Sequence, residues 1–386
     1  INLAARLMSN ANWQQILISK VTQEHIAAFF ELKDLGEFKV KGKEILIHAF
    51  EVLERREEIG RTRGLDFGES PLTGRDKDMD TLKASTRELL RGRGQIVSVI
   101  GNSGLGKSRL TREVRTWLLT EGVQGDRSFG YAQDDIERVQ WLEGQSLSFS
   151  EQMNYWLAVQ VFQGVLGLDR DASPDDVLFA LWERGEDLLG KESAREAIPF
   201  LAHLMGMELE GEWAQWVEEL DPSVRQKQTF WAAREFFTAA AREQPVVIAL
   251  DDLHWADEAS LALVEDLLSV TDHVPLMFWL IFRARREKGC WRLRDRAASA
   301  FPHRYTEVTL APLSEEDSCE LLGKLLPGAE FSPETEQEIL EKAAGNPFYL
   351  EEVVRSLIDS GAVVPDPNQE NAAGHALWQV TGKIRQ

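Results

Sequence analysis

At 386 residues, 43% hydrophobic and 28% charged, the sequence reads as a soluble globular chain with material for two or three domains. Its formal charge of −21, from 43 basic against 64 acidic residues, repels phosphate backbones and anionic membranes, so no nucleic-acid partner and no membrane partner is expected. Two cysteines, Cys290 and Cys319, stand far apart without His or Cys companions, which argues against a disulfide framework or a zinc site and fits a reducing, cytoplasmic setting.

In chain order, residues 1–55 alternate between strand and helix. "QILIS" (15–19) reads as a short buried strand and "TQEHIAAFFEL" (22–32) as an amphipathic helix. "EFKVKGK" and "EILIHAFEVL" read as paired strands with a turn around Gly42. The chain opens on Ile1 inside an apolar run and ends without a cap, so it is expected to continue at both ends. Residues 56–71 are charged and glycine-containing, and read as a linker.

A second unit spans 72–311. "QIVSVI" (95–100) is a buried strand, then comes a glycine-rich loop, then a helix whose Leu110, Val114, Trp117 and Leu118 share one face. "VQWLEGQSL", "PVVIAL" and "PLMFWLIF" are further strands, with a Trp-rich, mostly helical stretch at 151–243. Strands alternating with helices predict an α/β fold with a parallel sheet covered on both faces. "GDRSFGYAQDD" (125–135) reads as a surface insertion. From 312 to 386 the expectation is a wholly helical lid, followed by a polar segment that begins a further domain.

"GNSGLGKS" (101–108) fits G-x-x-x-x-G-K-S at every required position, between a strand and a helix. Gly101, Gly104 and Gly106 let the backbone curl so that the N–H groups of Asn102, Ser103, Leu105 and their neighbours face phosphate oxygens. The helix N-terminus adds its positive dipole end. Lys107 would bridge the β- and γ-phosphates of ATP, and Ser108 would ligate Mg²⁺. Asp251, after five apolar residues, would hold the Mg²⁺, and Asp252 would orient the attacking water. Asp257 reads as the cap of the helix that follows.

These stretches, with "VVIALDDLHWADEASLALVEDLL" and "GNPFYLEEVVRSLIDSGAV", resemble the signal-transduction ATPases with numerous domains (STAND), relatives of the AAA+ proteins. "PLTGRDKDMDTL" resembles the element before their phosphate loop, with Asp78 or Asp80 in place of the usual Glu. The resemblance implies a five-stranded parallel core with the two Walker strands non-adjacent, and a helical lid. It also implies Arg75 near the adenine, Arg283 sensing the γ-phosphate and Pro347 packing on the base. Two of these keep a plainer reading: Asn346 and Pro347 also suit the start of a helix, and Arg283 stands among Arg285 and Arg286 in what could be a solvated basic loop.

Residues 1–53 resemble the C-terminal third of a class III adenylyl/guanylyl cyclase domain, a ferredoxin-like fold. That resemblance implies that Asn2 orients the ribose, that Arg6 stabilises the pentacovalent phosphorus and that Lys41, rather than Lys43, binds the triphosphate. A second cyclase domain is then the expected partner. The sequence departs from the pattern at "NANWQQIL", where a Pro-Gly usually precedes the strand. The resulting expectation is a cyclase coupled to a nucleotide-switched module; the alternative is a STAND switch or scaffold, or a transcriptional regulator, with a degenerate cyclase remnant.

Overall fold

The computed structural model describes residues 16–20, 22–23, 30–39, 46–55, 72–122, 139–147, 150–169, 172–285, 289–370 and 376–381. The chain divides into two compact units: Leu72–Leu322 with Glu330–Val353, and Ile1–Pro71 with Gly323–Ala329 and Val354–Gln386.

In the smaller unit β1 (Ile16–Ser19), β2 (Phe30–Lys39) and β3 (Leu46–Arg55) form an antiparallel sheet in the order β1-β3-β2. β2 opposes β3 from Phe30↔Arg55 to Lys39↔Leu46. The strand thus begins at Phe30, inside the stretch expected as helix to residue 32. "FFEL" is apolar at alternate positions as well as at helical spacing, and pairing with β3 decides between the two. The linker at 56–71 and the insertion at 125–135 lie outside the described residues. So do Asn2, Arg6, Lys41 and Lys43, and with them the ferredoxin-like arrangement.

The larger unit starts with α1 (Asp76–Leu90), β4 (Gln95–Ile100), α2 (Lys107–Trp117) and β5 (Gln140–Gln145). Five helices follow: α3 (Trp156–Val165), α4 (Pro174–Leu189), α5 (Lys191–Leu204), α6 (Gly211–Glu219) and α7 (Pro222–Glu243). Then come β6 (Val246–Asp251), α8 (Glu258–Leu267), β7 (Leu276–Phe282), α9 (Cys290–Ala300) and β8 (Tyr305–Thr309). The five strands β4 to β8 make one parallel sheet in the order β5-β6-β7-β4-β8. β7 therefore separates β4 from β6, as the STAND resemblance implied.

Period-two alternation sends the two sides of each strand into different cores. On one face Val97, Val99, Val247, Ala249, Met277, Trp279 and Ile281 pack with Leu82, Leu89, Leu110 and Val114 of α1 and α2. On the other, Ile96, Ile100, Ile248, Leu250, Phe278 and Phe282 meet the helical insertion through Phe162, Phe236 and Leu201. β8 was not anticipated from the sequence: "YTEVT" is a half-polar edge strand without an apolar run.

Beyond the sheet lie α10 (Glu315–Leu325), α11 (Pro333–Ala343) and α12 (Pro347–Asp359). The polar segment expected after the helical lid contains two strands that the sequence did not signal. β9 (Val363–Glu370) and β10 (Ala376–Val380) pair antiparallel, Val363 opposite Val380. Val363 and Trp378 are buried, and Trp378 N–H donates to Pro327 O at 2.8 Å. Pro365 and Pro367 hide this strand from a propensity reading. Among the described residues no helix is long and apolar enough to cross a membrane, and no cluster of three or more His, Cys, Asp or Glu could hold a metal. Cys290 and Cys319 are both free thiols.

Candidate nucleotide site

The site forms where β4, β6 and β7 end side by side, the place at which open parallel sheets take ligands. The register sets Ile100 beside Phe282 and Leu250 beside Leu280, so the loop 101–106, Asp251 and Arg283 emerge together. Gly101 N–H donates to Phe282 O at 3.2 Å, tying the loop's first residue to the end of β7. Gly104 (φ 82°) and Gly106 (φ 90°) take the left-handed conformation that only glycine adopts freely. Gly106 is the N-cap of α2, and Lys107 and Ser108 occupy its first turn.

Lys107 is buried and folds back on its own loop: Nζ donates to Gly101 O at 2.9 Å and to Asn102 O at 3.0 Å. Burial pushes its ammonium pKa down, Asp251 and Asp252 pull it up and Arg283 lowers it further. Ser108 Oγ donates to Asp251 Oδ2 at 3.2 Å, and the Asp252 N–H donates to Asp251 Oδ1 at 2.7 Å. Burial, then the neighbouring Asp252 charge, raises the Asp251 carboxyl above its ordinary value. The chain therefore brings together three predicted residues from two elements: Lys107 and Ser108 at the start of α2, and Asp251 at the end of β6.

Asp252 has a left-handed backbone (φ 54°), which turns the chain out of β6 into the short turn Leu253–Trp255. Its Oδ1 lies 3.7 Å from Nδ1 of the buried His254. Asp257 caps α8 as expected, accepting Ser260 N–H at 2.8 Å, and it also accepts Tyr155 N–H at 2.9 Å. That second bond, which ties α8 to the segment before α3, had no signal in the sequence.

Arg283 is half-buried, and its Nε is a buried donor with no acceptor among the described residues. Arg75 is buried with Nη2 3.3 Å from Leu105 O and 2.6 Å from Ala311 O, and Nη1 3.5 Å from Asp78. α12 starts at Pro347, and Asn346 Oδ1 accepts Phe348 N–H at 3.1 Å, so the cap reading of Asn346 holds. Asn346 does more than cap. Its Nδ2 donates to Ser103 O at 3.0 Å, and Phe348 N–H also reaches Gly104 O at 3.3 Å.

These features fit magnesium and an anion. The Ser108 hydroxyl and the Asp251 carboxylate are hard oxygen ligands of the kind Mg²⁺ takes. The orphan Arg283 donor and the inward-turned Lys107 are groups that phosphate oxygens would satisfy.

Residues 71–280 match the AAA ATPase domain family, more than half of the chain. The chain belongs to that family. It is 24% identical over 279 residues to an uncharacterized protein of Rhizobium meliloti (strain 1021), covering 71% of this chain and 24% of that one. The chain thus spans about a quarter of the length of the curated relative it matches. Among solved structures, the Drosophila ORC bound to DNA aligns with a TM-score of 0.44 at 15% identity, over 78% of this chain and 60% of that chain. The Pyrococcus horikoshii STAND protein with a tetratricopeptide repeat sensor aligns with a TM-score of 0.34 at 15% identity, over 75% and 33%.

Proposed function

We propose that this AAA ATPase module is a STAND-type switch that binds Mg-ATP at Gly101–Ser108 and hydrolyses it slowly. The observation that carries this reading is the 3.2 Å contact of Ser108 Oγ with Asp251, at the end of a strand one removed from β4. When bound, Mg²⁺ would neutralise charge on the β- and γ-phosphates between these two oxygens. Lys107 would leave the Gly101 and Asn102 carbonyls for the phosphates, Arg283 would meet the γ-phosphate, and Asp252 would hold the attacking water. Arg75 and Pro347 would flank the adenine. Asp252 is a short acid held in a turn, and a switch needs a long-lived bound state, so turnover would be slow.

Calorimetry on the wild type and Lys107→Ala tests the reading. The variant should bind Mg-ATP about 30- to 900-fold more weakly, since removing one partner of a charge-assisted bond costs on the order of 2–4 kcal/mol. Equal affinities would overturn the assignment.

A second reading attaches to residues 1–53. Within this stretch "QILIS" and "HAFEVL" lie in one antiparallel sheet, with Ile18 opposite Phe50. On that reading the parent protein makes a cyclic nucleotide between two such domains, using Asn2, Arg6 and Lys41. The family match does not reach these residues, so the switch is the better supported of the two. Arg6→Ala in the parent should cut cyclic nucleotide production by about 10²–10³-fold with little change in KM. Wild-type production by a folded variant would leave only the switch.

A further inference from the structure

The carbonyls of the phosphate loop are not left to solvent. Ser103 O accepts from Asn346 Nδ2 at 3.0 Å, Gly104 O from Phe348 N–H at 3.3 Å, and Leu105 O from Arg75 Nη2 at 3.3 Å. In a trans peptide the carbonyl and the next residue's N–H point in opposite directions, and no cis bond occurs among the described residues. Holding those three carbonyls outward therefore holds the N–H groups of Gly104, Leu105 and Gly106 toward the other side, where a phosphate would sit.

We infer that Asn346 is a positioning residue for the phosphate loop: from the start of α12 it fixes the Ser103–Gly104 peptide so that the anion-binding N–H groups stand ready. The inference rests on the reading that Gly101–Ser108 takes a nucleotide phosphate. The fit is close. A Cβ added to Gly104 would come within 2.5 Å of Asn346 Oδ1 and 2.9 Å of Phe348 Cβ, so glycine is needed there for the contact as well as for its positive φ. The two roles of Asn346 use different atoms, Oδ1 for the helix cap and Nδ2 for the loop. A ready cradle need not order itself on binding, which is where affinity is gained. By reciprocity, a phosphate that fixes those N–H groups steadies the seat of α12, so loop occupancy is passed to the lid.

Asn346→Ser separates the roles, because serine can cap the helix but has no amide to reach Ser103. The probes are Mg-ADP and inorganic pyrophosphate, titrated by calorimetry into the wild type and the variant. The expected result is an unchanged thermal melt without ligand and a roughly three- to tenfold weaker Kd, by the same factor for both probes, the size of one hydrogen bond. Unchanged affinity would overturn the inference while leaving the nucleotide reading intact. A loss with Mg-ADP alone would also overturn it, because α12 would then act through the base. If the wild type binds neither probe, the nucleotide reading itself fails. Should Asn346→Ser melt early, Asn346→Asp keeps shape and cap, lacks the donor and adds repulsion. It should bind more weakly still, and wild-type affinity in that variant would be equally decisive against the inference.

Discussion

Asp251 carries two conflicting demands at one side chain. It must be ionised to hold a cation, yet it is half-buried beside the like charge of Asp252, and both push its pKa upward. Without a metal, the carboxylate at neutral pH is held in a place that disfavours it, and the hydrogen bonds from Ser108 and the Asp252 N–H only partly offset this. A neutral isostere removes the repulsion and keeps an acceptor. Asp251→Asn should therefore stabilise the ligand-free protein by about 1 kcal/mol, the usual gain from relieving an active-site strain. It should at the same time lose most of the added stability that Mg-ATP gives the wild type. Thermal melts with and without Mg-ATP read both effects. A variant that melts lower without ligand would mean that Asp251 is a structural anchor rather than a cation ligand.

At the level of elements, the site depends on α2 keeping its place on the sheet. Leu110 and Val114 are fully buried on its inner face and Leu118 just beyond its end, and Thr111 sits among them with its hydroxyl accepting the Trp279 indole N–H at 3.0 Å. Trp279 lies on β7, the strand between β4 and β6, so this bond pins the helix bearing Lys107 and Ser108 to the middle of the sheet. Thr111→Val keeps the shape and strands a buried N–H, which costs about 1–3 kcal/mol. The melting temperature should fall by several degrees, and a melt at the wild-type temperature would show that the indole finds another acceptor. The strand-loop-helix around Lys107 and the strand ending at Asp251 were legible because each is a local pattern: an apolar run, a glycine spacing, a one-faced helix. Three other features were not. β8 pairs with β4 along its length but alternates polar side chains, and β9 carries two prolines that argue against a strand. The bond from Asn346 to Ser103 joins residues 243 positions apart, and no periodicity or spacing records such a pairing. Asn346 was readable as a cap because capping is local.

Over the whole molecule, the charge of −21 sets a field that the site does not share. Around the loop, Lys107 and Arg283 face Asp251 and Asp252, two positive groups against two negative, so the site has little net charge to project outward. An approaching nucleotide, still anionic with Mg²⁺ bound, therefore feels chiefly the repulsion of the rest of the protein until it reaches the loop. Salt screens that repulsion: the Debye length falls from about 30 Å at 0.01 M to about 8 Å at 0.15 M. The association rate of Mg-ATP should then rise with ionic strength, the reverse of the behaviour of a basic cleft that steers anions inward. The same field should keep duplex DNA from binding even at low salt, since the net charge of −21 repels the phosphate backbone. Stopped-flow mixing with a fluorescent ATP analogue, at fixed Mg²⁺ and increasing potassium chloride, measures the first effect directly. An association rate that falls as salt is added would mean that Lys107 and Arg283 dominate the approach, and that the acidic surface lies too far from the loop to matter.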